Sequence, residues 1–277
     1  MRGTKVGPVN QHPFDQALAA TAETDGGWAG QTSPAYANMV GPYGGIMAAQ
    51  ALVSVLRHDQ LLGEPVALTV NFCAAMADGP FVALARPART NRSTQHWSVE
   101  LQQQGQTVLS ATAITALRRE TWGAAEMPMP VVPAAQDTPR PSGRGRVEWI
   151  GRYEFRFIHG GFPDAWDGRS ADDSLTQLWV RDDPPRPLDF ASITALSDVF
   201  FPRIWRRRAR MTPLGTVSMT VYFHADSAQL RDTGCGYLLA QARGQAFHNG
   251  YFDQTAQLWN EAGKLLVSTH QLVYFKE

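Results

Sequence analysis

Met219-Thr-Val-Tyr-Phe-His-Ala225 repeats Leu68-Thr-Val-Asn-Phe-Cys-Ala74. Both stretches carry the β-branched and aromatic residues of strands. Two further matches follow in the same order. Ser98-Val-Glu-Leu-Gln-Gln103 answers to Thr255-Ala-Gln-Leu-Trp-Asn260, and Gly105-Gln-Thr-Val-Leu-Ser-Ala-Thr-Ala113 to Gly263-Lys-Leu-Leu-Val-Ser-Thr-His-Gln271. The offset stays near roughly 150 residues, and similarity kept in order marks a duplicated unit.

Each copy has a helix pattern before its strands. In the first, Gly41-Pro-Tyr-Gly-Gly-Ile-Met-Ala-Ala-Gln-Ala-Leu-Val-Ser-Val-Leu56 reads as a glycine-rich turn feeding a helix. That helix is apolar nearly all round, so it should be buried, and its small residues let a sheet wrap closely. In the second, Pro187-Leu-Asp-Phe-Ala-Ser-Ile-Thr-Ala-Leu-Ser-Asp-Val-Phe-Phe-Pro202 reads as one helix, capped by Asp189 and stopped by Pro202. Phe190, Ile193, Leu196 and Phe200 form its stripe for burial. Asp198 then lies well inside it among apolar residues. A carboxylate there must reach solvent, find partners or be strongly perturbed.

Strand patterns fill most of the rest: 66–75, 81–90, 96–103 and 107–117 in the first copy, with a strand also at 28–34 and a short helix at 14–22. In the second they cover 147–157, 175–181, 215–224, 236–246, 253–259 and 265–275. One buried helix followed by a run of strands argues for an antiparallel sheet with a helix on one face, an α+β class, rather than alternating βαβ units. Residues 1–13 read as a loose tail. A proline-rich stretch, with Pro128, Pro130, Pro133, Pro139 and Pro141, divides the copies. The domains expected are therefore 14–119 and 146–277, joined by a linker over 120–145.

The chain has 277 residues, 44% of them hydrophobic and 18% charged, with 25 basic against 25 acidic residues. This balance suggests neither nucleic acid nor an acidic surface as a partner. The run Arg203-Ile-Trp-Arg-Arg-Arg-Ala-Arg210 is a local exception, usually a solvated face and more sharply a place to meet phosphates. Two cysteines, Cys73 and Cys235, make neither a disulfide framework nor a metal knuckle, and fit a reducing cytoplasm. No signal peptide and no apolar run long enough to span a bilayer is present, so no membrane partner is expected. No dinucleotide fingerprint, P-loop, zinc spacing or Gly-x-Ser-x-Gly elbow occurs, and no metal is expected.

Where the copies disagree, chemistry has room in one of them. Gln271 falls opposite Ala113, Asp198 opposite Ala51 or its neighbour, and Thr216 opens the second copy's central strand.

These features resemble the double-hotdog acyl-CoA thioesterases of the acyl-CoA thioesterase II type, over roughly Phe14 to Phe275. The carriers are Gly44-Gly45 opening the first helix, Leu196-Ser-Asp198, Thr216 before Tyr222-Phe-His224, and Ser268-Thr-His-Gln271. The resemblance implies two tandem curved antiparallel sheets, each wrapped around a central helix, with sites between the halves. It implies Asp198, Thr216 and Gln271 as the catalytic set, an acyl-CoA substrate, no cofactor beyond the CoA moiety itself, and a homo-oligomer. Asp198 would act as base or water orienter, with Gln271 and Thr216 holding the same water. The N–H groups of Gly44 and Gly45, with Tyr43 beside them, would meet the oxyanion and substrate, because a helix N-terminus presents unpaired donors. Trp28, Tyr43, Phe72, Trp97, Phe200, Phe201 and Tyr222 are the expected wall of the acyl tunnel, and core packing accounts for them equally well. The alternatives are a non-catalytic acyl or acyl-CoA binder on the same scaffold, or a hotdog thioesterase or dehydratase acting on acyl-carrier-protein thioesters. The dehydratase pattern asks for His five residues after the Asp, where this chain has Arg203.

Overall fold

Thr69 and Thr220, equivalent residues of the two copies, face each other across paired strands with their hydroxyls 3.0 Å apart. The seam between the halves runs through them. In the computed structural model, which describes residues 11–22, 27–141, 147–163 and 165–277, the elements are placed as follows. The first half holds α1 (Pro13–Ala17), β1 (Ala20–Ala22), β2 (Gly27–Gln31), α2 (Gly44–Leu56), β3 (Glu64–Phe72), β4 (Pro80–Thr90), β5 (Thr94–Gln103) and β6 (Gln106–Ala116). The second holds β7 (Tyr153–His159), β8 (Thr176–Asp182), α3 (Phe190–Leu196), α4 (Arg203–Arg208), β9 (Leu214–Phe223), α5 (Ser227–Thr233), β10 (Leu238–Arg243), β11 (Phe247–His248), β12 (Tyr251–Asn260) and β13 (Leu265–Phe275). Most of the expected tail, up to Asn10, and the end of the expected linker near residue 145 lie outside the described residues.

Counted outward from the seam, the first half runs β3, β6, β5, β4, β2, β1 and the second runs β9, β13, β12, β10, β8, β7. The two halves thus repeat one topology, and antiparallel pairing of β3 with β9 joins their sheets edge to edge. This is the double hotdog, with α2 as the long helix of the first half. Its Ala48, Ala49 and Ala51 are all 0% exposed, which lets the sheet close on it. Among the described residues, no helix is long and apolar enough to cross a membrane.

Several expectations are corrected here. Residues 187–202 are not one helix. Asp189 caps α3 as expected, accepting from the Ser192 N–H, but α3 stops at Leu196. The Thr194 and Ser197 hydroxyls bond back to the Phe190 and Ile193 carbonyls, a competition that weakens helix continuation. Pro202 disfavours helical backbone at Phe201 and becomes the N-cap of α4. The basic run is therefore a short helix, and Arg203 is no solvated residue. It is buried, donating to Ser174 O, Thr176 Oγ1 and Phe201 O. The expected 14–22 helix is one turn followed by β1, and residues 148–152 are a 3-10 turn ahead of β7.

The proline-rich stretch is a strap rather than a free spacer. It carries its carbonyls to two buried tryptophans, with Trp179 Nε1 donating to Pro133 O at 2.9 Å and Trp259 Nε1 to Met127 O at 3.2 Å. Ala135 packs between these rings and Leu239.

Candidate active site

The end of α3 meets the start of α2 where the halves come together. Tyr43 is the N-cap of α2, and its hydroxyl donates to Ala195 O at 2.6 Å. Its ring stacks on Trp149 with centroids 4.2 Å apart and planes 7° apart. The same Ala195 carbonyl accepts from the Asp198 N–H at 3.1 Å. Tyr43 therefore pins the turn that carries Asp198. Its phenol is pushed well above the ordinary range by burial and by the nearby Asp198 charge, and its proton is committed to Ala195.

Asp198 lies two residues beyond α3, not inside it. Its Oδ1 accepts from Gln271 Nε2 at 2.8 Å, and the Gly45 N–H donates to the same carboxyl group. Protein atoms surround the carboxyl as they would in the interior, yet the residue keeps an intermediate exposure. Burial pushes its pKa up to about 7, against the opposing pull of Gln271 and Gly45. A general base is most effective near that value at neutral pH.

The glycines are dictated by proximity. A Cβ on Gly44 would lie 2.8 Å from Asp198 Oδ2, and one on Gly45 would lie 2.6 Å from Ala195 O. The Ile46 and Met47 N–H groups turn back to Tyr43 O, and the Gly45 N–H is taken by Asp198. Among the described residues, no acceptor meets the Gly44 N–H. It is the open donor at the positive end of α2.

Gln271 sits on β13, between β9 and β12, so it is not the edge-strand residue that its polarity alone suggests. Buried Val267, Thr269, Gln271 and Val273 alternate with exposed His270, Leu272 and Tyr274. His270 turns away to Asp253 at 2.9 Å, and His224 bonds Ser268 at 2.9 Å. Neither histidine enters the site.

Thr216 reaches the same face through an irregularity. Gln271 pairs with Met219, Leu272 with Ser218 and Val273 with Thr216, so Val217 is an extra residue. Cross-strand partners share a face. The bulge therefore turns Thr216 onto the face of Val273 and Gln271, where unbroken alternation would send it to the other side. Among the described residues, its hydroxyl makes no hydrogen bond to Asp198 or Gln271.

Of the expected tunnel wall, Tyr43 and Phe72 border this point, the Phe72 ring lying 3.3 Å from a Cβ built on Gly44. Tyr222 does not, being 52% exposed on the outer face of β9. Trp97 belongs to the first half's core, where it donates to Thr115 Oγ1. Sequence reasoning missed Asp182 and Tyr153. The inward series Leu178, Val180, Asp182 on β8 was the available signal.

A double hotdog with a buried carboxyl at the junction of its halves defines the class. The chain belongs to the family of acyl-CoA thioesterase domains: residues 33–116 match the model of the N-terminal domain and residues 128–275 that of the C-terminal domain. Among solved structures it is similar to a conserved protein of unknown function with hot dog fold from Alicyclobacillus acidocaldarius, at 44% identity. The match covers 96% of this chain and 98% of that one, with a TM-score of 0.91. It is also similar to a candidate thioesterase II from Thermobifida fusca YX (20% identity, 98% and 100% covered, TM-score 0.79). A third is an acyl-CoA thioesterase II from Mycobacterium marinum (17%, 95% and 98%, TM-score 0.73). At these lower identities the likeness is one of fold. No curated protein matches the chain.

Proposed function

We propose that the chain hydrolyses acyl-CoA thioesters with a water held by Asp198, Gln271 and Thr216. The observation that carries this reading is the Gln271–Asp198 bond beside the N-terminus of α2. Because the Gln271 amide gives its N–H to Asp198, its carbonyl oxygen remains to accept from a water. Asp198 takes a proton from that water as its oxygen attacks the thioester carbonyl carbon. The oxyanion that forms accepts from the Gly44 N–H, where donor and helix dipole act together. Collapse breaks the C–S bond, and the CoA thiolate takes the proton back from Asp198. Acid, free thiol and the starting carboxylate result, and one water is consumed.

Membership of the thioesterase family and the place of Asp198, with its pKa about 7, support the reading. The exposed and unpaired Cys73 and Cys235 fit a reducing cytoplasm. The outermost strands, β1 and β7, are the free edges through which copies would pair into the expected homo-oligomer. The test is free-thiol release from a panel of acyl-CoAs, short to long, straight and aromatic. Turnover by the wild type that Asp198→Asn loses supports the reading. Absence of turnover on every member opposes it.

A further inference from the structure

Three polar atoms of neighbouring residues stand buried without a partner among the described residues: Tyr36 Oη, Tyr153 Oη and Asp182 Oδ1. Their residues are 0%, 2% and 3% exposed. Tyr153 and Asp182 are direct cross-strand partners on β7 and β8, so their side chains share a face. The Tyr36 and Tyr153 ring centroids lie 6.3 Å apart. The other oxygen of Asp182 accepts from the Ser192 hydroxyl of α3 at 2.5 Å. A buried polar atom left unpaired is costly, and natural proteins almost always supply it with a partner. Here two phenols and a carboxylate oxygen on neighbouring residues have none.

The group is tied to the candidate active site. Ser192 lies on α3, and Asp198 lies on the turn that follows it, six residues on. The Tyr153 ring also lies 6.1 Å from that of Tyr43, which pins the Asp198 turn. Burial, and then the neighbouring Tyr36, Asp182 and Asp198, push the Tyr153 phenol well above its ordinary range.

We propose that Tyr36, Tyr153 and Asp182 form the polar end of the acyl site, and that the acyl group taken here carries a hydroxyl on its chain. This rests on the reading of Asp198 as the thioesterase site and narrows its substrate class. A hydroxyl suits the three atoms because it both donates and accepts: it gives its proton to Asp182 Oδ1 and accepts from a tyrosine. An unsubstituted chain leaves all three unpaired. Sites built to bond a substrate hydroxyl reject the analogue without it far more strongly than apolar pockets sort chains by one methylene. The aromatic rings are in edge contact, so the chain would enter by parting them.

The test is binding, which needs no turnover. Medium-chain acyl-CoAs with a terminal hydroxyl, each paired with its unsubstituted counterpart, are titrated into Asp198→Asn by calorimetry. The same titration is run with Tyr36→Phe and Tyr153→Phe added. Each tyrosine change removes only an oxygen that has no protein partner, so the fold should stand. For chains of matching length, the hydroxylated member is expected to bind about tenfold tighter or better. The preference should fall to near unity in the phenylalanine variants. Equal affinity within every pair, as expected if the three atoms hold only an internal water, overturns the proposal, as does failure of either member to bind. Selective binding without turnover by the wild type would instead count against the thioesterase reading.

Discussion

Gln271 Nε2 donates to Asp198 Oδ1 over 2.8 Å, joining the last strand of the chain to the turn after α3. Gly45 of the first half donates to the same carboxyl. The group thus depends on three separate segments, two from one half and one from the other. Its position is a property of how the halves meet.

Replacing the carboxyl tests its role most directly. Asp198→Asn is expected to keep the fold and to lower kcat by about two powers of ten or more, the scale of a positioned acid–base group. Turnover and the thermal midpoint, measured on the same preparation, separate chemistry from folding. An unchanged kcat would remove Asp198 from the mechanism.

The pH dependence follows from burial. With a pKa of about 7, the active carboxylate is lost as pH falls. On the proposed mechanism kcat/KM rises through an inflection near pH 7 and levels above it. Stability runs the other way. The folded group holds its proton up to about pH 7, while the unfolded one releases it near 4. Between those values the folded state binds more protons, so wild-type stability declines as pH rises across the window. Asp198→Asn should show a smaller decline, with the part that remains lying below about pH 6, where Asp182, raised by burial to about 6, still releases its proton; melting curves at intervals from pH 4 to 8 would show it.

Gln271→Ala removes the bond that favours the charged form of Asp198. The inflection in kcat/KM should then move to higher pH, and kcat should fall about tenfold or more. A purely packing role for Gln271 would lower stability and leave the inflection in place.

Gly44→Ala would set a methyl 2.8 Å from Asp198 Oδ2 and 3.3 Å from Phe72. Overpacking of this kind costs about 1–3 kcal/mol and displaces what it strikes. The expected outcome is a folded protein with kcat reduced at least about tenfold, checked by thermal melts beside turnover.

Trp259→Phe deletes the donor to Met127 O and leaves a gap where part of the buried indole packed. The unpaired carbonyl and the cavity together are expected to cost about 2 kcal/mol or more in denaturant melts. Turnover should be unchanged, because the strap lies away from Asp198.

The duplication was readable because strand patterns survive as short repeats, and Asp198 and Gln271 stood out where the copies differ. The end of α3 was not readable. The spacing of Phe190, Ile193, Leu196 and Phe200 continues past Leu196, while the back-bonding of Thr194 and Ser197 that accompanies the stop leaves no mark in a hydrophobic pattern. Thr216 could be placed on the site's face only once the extra residue Val217 was seen, since one inserted residue reverses the alternation. Tyr222 shows the opposite case. Buried Met219, Val221 and Phe223 put it outside by simple alternation, and its aromatic character misled.

The seam at Thr69 and Thr220 carries a further consequence. In a pair of identical subunits every substitution at a two-fold contact appears twice, so each residue must suit its own copy. Here the two threonines belong to one chain and can change singly. The same freedom extends to the position opposite Gln271, where Ala113 now lies buried in the first half. With both halves in one chain, one cleft can differ from the other with no demand for self-complementarity, so a molecule of symmetric topology can be lopsided in its chemistry.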